Sequence, residues 1–265
     1  MNEKEWISLW IEECAKEGIV PWKWDFKRSY SHKTFSPITF LLKYKNHELT
    51  EIGKFNTTGK TGKDGDCDKE PFPIYRLLNW QKNPADIIRG ETMNSFITTF
   101  NQAILCSNNK KEVYAAITID STKYLSEQQE LLYRDNHFQK FELIEKNIDD
   151  FTQFANQTHT IGNFTVLPHW MNTGRYRFSR DYWDLTLQSL REFLQPLGAW
   201  EKFVDKYFLH PFLNDDLTMR ELWEGHFSGV ICPRKAEEFQ QFLHHANAMI
   251  ETRGETLMKE VIKRL

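Results

Sequence analysis

The sequence predicts a mainly α (α+β) protein with one helical core and a small β-hairpin or sheet beside it. Apolar residues recur at helical spacing along most of the chain, whereas only a few short stretches alternate or collect β-branched side chains. A length of 265 residues is enough for one large core, and an aromatic share of 14% supplies ample material for it. We therefore expect residues 1–265 to form a single domain.

The first elements follow from how their apolar residues are spaced. Residues 3–16 place apolar side chains three and four positions apart until Gly18 and Pro21 stop the pattern, which predicts an amphipathic helix. Residues 37–52 predict two short strands around a turn at Asn46, and therefore a small hairpin.

The middle of the chain alternates between exposed and core-forming segments. Residues 53–73 are dense in Gly, Lys, Asp and Pro and have almost nothing to bury, so they predict a flexible surface loop. Helical spacing returns in residues 74–80 and 92–105, and the β-branched stretch 112–119 predicts a strand. Residues 123–154 repeat apolar side chains in a polar background, which predicts one or two further helices.

The C-terminal part carries the clearest helical pattern. Residues 161–167 predict a short extended segment that Pro168 ends. Three helices are predicted after it, over residues 182–194, 199–209 and 236 to near the C terminus. The last of them keeps Phe239, Leu243 and Ile250 on one face, which is the spacing of a helix that packs on a core.

Composition limits the function classes. The formal charge of −3 and the pI near 6.3 give no general attraction to a polyanion, so a nucleic acid could be bound only through a local basic patch. The N terminus is acidic and unlike a signal peptide, and no stretch approaches the roughly 20 apolar residues that span a bilayer. We expect a cytoplasmic protein with no membrane partner. Reduced thiols are expected for the four separated cysteines, Cys14, Cys67, Cys106 and Cys232.

The loop at residues 53–73 contains two patterns that resemble ligand-binding motifs. GKFNTTGKT (residues 53–61) ends like a P-loop, but five residues separate its glycines where the P-loop needs four, and no helix can start behind it. Asp64, Asp66 and Asp68 alternate as at the start of an EF-hand, but the required Gly and the final acid are missing. No cofactor is predicted from this loop.

Polar side chains concentrate between residues 159 and 184, and we expect the functional site in this segment. The candidate catalytic residues are His159, Asn163 and Asn172, and the candidate binding residues are Arg175, Arg180 and Asp184. Each also has a structural interpretation, which we favour: the asparagines form turns, Asp184 lies in the first turn of a helix, and the arginines pair with it. We expect Asn163 and Asp184 to be buried and hydrogen-bonded.

The same segment carries a resemblance to an uncharacterised bacterial family of unknown function. The matching residues are IGNFTVLP (residues 161–168), Asn172, Arg175 and DYWDLTLQSLREFL (residues 181–194). Fainter matches are WDFKRSYSHKTFSP, GETMNSFITTF and MIETRGE. The family has no established activity to pass on. Our own best guess from the sequence is a binding or scaffold module without a cofactor, with phage defence or a mobile element as the associated setting.

A narrower resemblance supplies an alternative function. HTIGNFTVLPHWMN (residues 159–172) is similar to a stretch of the HNH-like nuclease part of GmrSD-type restriction enzymes, with Asn163 and Asn172 at matching positions. In such sites a His acts as general base and a divalent cation polarises the scissile phosphate. The upstream Asp/Glu-His-x-x-Pro element is absent here. The resemblance therefore implies a metal-dependent HNH-like nuclease, in an active or degenerate form.

The adjacent histidines His244 and His245 lie on the predicted C-terminal helix. Neighbouring helical residues point about 100° apart, so these two cannot chelate one ion as an i, i+4 pair can. We expect one of them to face inward and the other to face solvent.

Overall fold

Helices dominate the structure, a computed structural model that describes residues 1–26, 37–45, 70–80, 88–108, 139–168, 182–230, 233 and 235–265. The helices are α1 (Glu3–Lys16), α2 (Pro37–Lys45), α3 (Phe72–Leu77), α4 (Phe96–Ser107), α5 (Glu142–Glu145), α6 (Ile148–Gln157), α7 (Trp183–Leu194), α8 (Trp200–Tyr207) and α9 (Ala236–Arg264). Two strands, β1 (Ile88–Thr92) and β2 (Phe164–Pro168), accompany them. The predicted mainly α fold is confirmed.

Helix α1 shows how closely the sequence controls a helix boundary. The Asn2 side chain accepts from the Glu5 amide at 2.9 Å, and the Glu5 carboxylate accepts from the Asn2 amide at 3.0 Å, which closes a capping box. Gly18 follows the helix at φ +67, a left-handed conformation that glycine adopts without steric cost. The helix predicted over residues 3–16 is therefore confirmed at both ends.

The long helix α9 lies at the centre of the core. Its buried face is a continuous stripe whose members are Phe239, Phe242, Leu243, Ala246, Asn247, Ile250, Arg253, Gly254, Leu257, Met258 and Val261. Helix α6 packs against the first half of this stripe, where Phe151 meets Phe239 with ring centroids 5.6 Å apart and Phe154 meets Phe242 at 6.1 Å. The prediction that the C-terminal helix buries this face is confirmed.

The two strands form a short antiparallel ladder. Ile88 pairs with Pro168 and Thr92 pairs with Phe164, so the segment before α4 is joined to the segment after α6. A 3-10 turn at Ile161–Asn163 precedes β2 and directs the chain into the ladder. The extended segment predicted over residues 161–167 is confirmed from Phe164 onward.

This 3-10 turn touches α9 at backbone distance. A Cβ built on Gly162 would lie 2.0 Å from the Ile250 carbonyl oxygen and 2.9 Å from the Gly254 amide nitrogen. No other residue fits between the turn and the helix, since real Cβ contacts are not that short. Gly162 is therefore required for this contact.

Arg253 occupies the junction beside that contact and is fully buried. Its guanidinium donates to four backbone carbonyls, those of Gly162, Phe164, Tyr207 and Phe208. It also lies 5.7 Å from the Trp80 ring centroid. Burial lowers the pKa of Arg253 to about 9, and the nearby Tyr75 acts in the opposite direction. One cation therefore ties α9 to β2, to the preceding turn and to the end of α8.

The predicted hairpin is wrong within the described residues. Residues 37–45 form helix α2 instead, with Pro37 in its first turn, where the missing amide proton costs nothing. Leu41 packs against the core and Lys45 approaches Glu145 at 2.5 Å, so tertiary packing outweighs the β-branched and aromatic character of the segment.

Other predicted elements shift or lie elsewhere. The helix predicted over residues 92–105 begins later, at Phe96, because residues 88–92 join the ladder. Three further predictions lie wholly or partly outside the described residues: the loop at 53–73 before residue 70, the strand at 112–119, and the first part of the helical segment 123–154.

Two further expectations concern membranes and thiols. Within the part of the chain that the structure describes, no helix is both long enough and apolar enough to cross a membrane. Cys14 is buried and not in a disulfide. Cys106 is disulfide-bonded, so the expectation that all four cysteines are reduced is wrong for this residue.

Candidate functional site

The Asn163 side chain is the centre of a buried hydrogen-bond network. Its amide oxygen accepts from the Asn94 backbone amide at 3.1 Å and from the Asn94 side chain at 3.2 Å. Its amide nitrogen donates to the Asn94 carbonyl at 2.9 Å and to the Thr158 carbonyl at 2.8 Å. All donor and acceptor positions of this amide are used, so Asn163 has no lone pair left for a cation.

Asn94 also holds the start of α7. Its side-chain oxygen accepts from the Trp183 backbone amide at 3.2 Å. Asn163 and Trp183 are therefore bound to the same residue, although 20 positions separate them in the sequence. The two described ends of the intervening segment are therefore held by one residue, Asn94.

Asp184 and His226 form the most buried ion pair that the structure describes. Asp184 Oδ2 lies 2.6 Å from His226 Nδ1, and the two side chains are 0% and 2% exposed. The carboxylate also accepts from the Leu185 amide at 2.7 Å and from the Leu222 amide at 3.3 Å. An ionised carboxylate only accepts, so a hydrogen bond between the two side chains requires a proton on Nδ1 of the ring.

Aromatic rings surround His226. The Trp223 ring centroid lies 4.1 Å from that of His226, and the Tyr182 ring stands edge-on at 5.3 Å. The loop that carries His226 is fixed further by Glu221, which accepts from the Gly225 and Phe227 amides. The imidazole is thus held at fixed orientation, which is the state of a histidine prepared for acid–base work or for structural use.

The candidate catalytic residue His159 lies elsewhere, next to residue 25. Its Nδ1 is 4.0 Å from Asp25 Oδ1, and its carbonyl accepts from the Phe26 amide at 3.0 Å. His159 is mostly buried, and it adjoins Thr158, whose carbonyl receives the Asn163 amide. The network around Asn163 therefore has one Asp–His pair beside Thr158 and a second beside Trp183.

The predicted site residues divide into two groups. Asn163 and Asp184 are fully buried and hydrogen-bonded, which confirms that expectation. The described partner of Asp184 is His226, whereas the sequence suggested an arginine. Asn172, Arg175 and Arg180 lie outside the described residues.

Sequence reasoning missed two residues of this region, Asn94 and His226. Both lie far along the chain from Asp184, and neither belongs to a motif with fixed spacing. A search for polar residues inside otherwise apolar helix and loop patterns would have found them, because buried polar groups require partners.

The potential metal ligands among the described residues do not form large clusters. Among the described residues no group of three or more His, Cys, Asp or Glu side chains is arranged to hold a metal ion.

No family model, curated protein or solved structure matches the chain. The two resemblances and the functions they imply therefore stay predictions from the sequence.

Proposed function

We propose that the protein is a binding module for a phosphate-bearing polyanion such as a nucleic acid, with Arg175 and Arg180 making the contacts. The observation that carries the proposal is the junction at Asn94, which joins the two ends of the segment that contains both arginines. A segment with anchored ends loses less conformational entropy on binding than a free one.

The buried polar residues at the ends of this segment and the arginines within it have different roles in the proposal. Asn163 and Asp184 use their polar atoms inside the fold, so they serve as framework. The intervening sequence RYRFSR (residues 175–180) supplies three guanidinium groups interleaved with aromatic rings. Guanidinium groups bind phosphate through parallel hydrogen bonds, and aromatic rings can stack on bases. This composition provides the local basic patch that a chain of charge −3 needs.

The test is the salt dependence of oligonucleotide binding, followed by fluorescence anisotropy with labelled single-stranded and duplex DNA. Each phosphate contact on duplex DNA contributes roughly 0.9 to the steepness of the plot of log K against log salt concentration. The double variant Arg175→Gln/Arg180→Gln removes two such contacts, so the magnitude of the slope should fall by about 1.8. The control Lys140→Gln/Lys146→Gln removes the same charge from two exposed positions and should leave the slope unchanged. No binding by the wild type at low salt, or equal losses in both variants, would refute the proposal.

A second candidate function, metal-dependent hydrolysis of nucleic acid, is favoured by the Asp184–His226 pair. A carboxylate that orients an imidazole is the arrangement of a general base, which the upstream sequence lacks. Because His226 is 2% exposed, catalysis would require the Tyr182 and Trp223 rings to move so that the imidazole meets the substrate. The reaction needs a divalent cation, which polarises the scissile phosphate.

The hydrolysis candidate is tested by cleavage of plasmid and single-stranded DNA with Mg²⁺, Mn²⁺ or Ni²⁺. His226→Asn keeps a donor toward Asp184 and removes Nε2, so it should abolish cleavage while far-UV circular dichroism stays unchanged. His159→Ala and Asn172→Ala test the residues suggested by the nuclease resemblance. If the wild type does not cleave, or if His226→Asn cleaves as well as the wild type, His226 is not a catalytic base.

A further inference from the structure

A second Asp–His pair lies on the surface between α6 and α9. His244 Nε2 is 2.9 Å from Asp150 Oδ1, with side-chain exposures of 56% and 19%. The expectation that one of His244 and His245 faces inward is wrong, since both are exposed. His244 instead points its Nε2 toward an acid of the neighbouring helix.

Asn247 lies about one turn further along α9 and contacts the same residue of α6. Its amide nitrogen donates to the Asp150 backbone carbonyl at 3.1 Å, so the side chain is directed toward Asp150. Its amide oxygen is buried and has no hydrogen-bond partner among the described residues. An unpaired buried carbonyl oxygen costs about 1–3 kcal/mol and calls for an explanation.

We propose that Asp150, His244 and Asn247 bind one divalent transition-metal ion of the zinc and nickel class. Neighbouring ligand atoms at about 2.0–2.2 Å from such an ion lie about 2.8–3.6 Å apart, from octahedral to tetrahedral geometry. The 2.9 Å between His244 Nε2 and Asp150 Oδ1 falls at the octahedral end of this range. The ion would give the Asn247 oxygen a partner, and water would fill the remaining positions. Imidazole, carboxylate and amide oxygen together suit Zn²⁺, Ni²⁺ or Co²⁺.

The surroundings of the group add both signs of charge. Asp149 is exposed in the same turn of α6 and adds negative charge. On the other side, His245 has a pKa lowered by burial and by the nearby positive charges of Arg220 and His244. A metal ion binds the neutral form of an imidazole, so the titration described below is carried out at pH 7.5.

A second surface Asp–His pair lies in a stretch, residues 205–210, that contains no Asn or Gln. His210 Nε2 lies 3.3 Å from Asp205 Oδ1, and the His210 side chain is 56% exposed, as His244 is. The control pair comes from one short stretch of chain, whereas Asp150 and His244 come from two packed helices. The His210→Ala variant is therefore the control for metal binding by an ordinary surface Asp–His pair.

The experiment is isothermal titration of the tag-free protein with Zn²⁺ at pH 7.5, repeated with Ni²⁺. One ion per chain should bind with a Kd of the order of micromolar. His244→Ala and Asp150→Asn should each weaken binding by at least about tenfold, and His210→Ala should leave it unchanged. Zn²⁺ should also raise the unfolding midpoint of the wild type and not that of His244→Ala, because the ion links α6 to α9.

Three outcomes would overturn the proposal. They are an absence of stoichiometric binding by the wild type, an equal affinity in His244→Ala, and an equal loss in His210→Ala, which would mean scattered surface binding. Asn247→Leu keeps the branched shape of the side chain and removes the amide oxygen, together with the hydrogen bond to the Asp150 carbonyl. It is compared with His244→Ala, which changes an exposed position and should not affect folding. If Asn247→Leu folds and binds as tightly as the wild type, the amide oxygen is not a ligand.

Discussion

The pairs Asp184–His226 and Asp150–His244 contain the same two side-chain types in opposite surroundings. The first is buried, with a separation of 2.6 Å and two backbone amides on its carboxylate. The second is on the surface at 2.9 Å, and its imidazole is more than half exposed. The difference shows that partners, more than residue identity, decide whether a polar group holds the fold or remains available to a ligand.

Arg253 and Asn163 belong with the buried pair. The guanidinium of Arg253 uses its donors on four carbonyls, and the amide of Asn163 uses both of its hydrogens and its oxygen. Substitution at such saturated positions should cost stability, whereas substitution at the surface pair should leave stability almost unchanged. Each of the following predictions tests one side of this division.

The largest effect is expected for Arg253→Met. Methionine fills part of the volume but leaves the carbonyls of Gly162, Phe164, Tyr207 and Phe208 without their donor inside the core. At about 1–3 kcal/mol for each of the four unsatisfied groups, the free energy of unfolding should fall by at least about 4 kcal/mol. Urea unfolding measures this, and a loss below about 1 kcal/mol would show that the cation is not needed for the junction.

His226→Ala should come next, with a loss of about 3–5 kcal/mol. Removal of one member of a buried ion pair leaves the other charge without compensation, and here the loop that carries His226 also loses its attachment to α7. Urea unfolding of His226→Ala and Asp184→Asn, alone and together, gives the coupling of the pair. A coupling energy near zero would mean that the buried pair contributes as little to the free energy of unfolding as the surface pair is expected to.

Much of this arrangement could be predicted from the sequence, and the reasons are local. Helical spacing and end signals place α1, α7 and α9, and the polar density of residues 159–184 indicates the region that the Asn163 network occupies. The features that the sequence did not predict depend on contacts between distant parts of the chain. Strand β1 lacks an alternating pattern and exists because it pairs with β2, and the partners Asn94 and His226 are defined only by the folded chain.

Asn163→Ala should have a smaller effect, about 2 kcal/mol. It removes the donor to the Thr158 carbonyl and the acceptor for the Asn94 amide groups, all of which are buried. Asn163→Asp is the matched variant, since it keeps the acceptor and removes the two donated hydrogens. Thermal unfolding should rank wild type above both variants, and an unchanged midpoint in both would contradict the view that this amide is framework.

The smallest effect is expected for His244→Ala in metal-free buffer, below about 0.5 kcal/mol. Exposed ion pairs contribute little, because water screens them and two side chains must be ordered to form them. The same variant is expected to lose zinc binding, so one substitution would separate stability from ligand capacity. Unfolding with EDTA and with Zn²⁺ measures both quantities in the same protein. A loss above about 2 kcal/mol with EDTA would mean that the surface pair also holds the fold, and the contrast with Asp184–His226 would then fail.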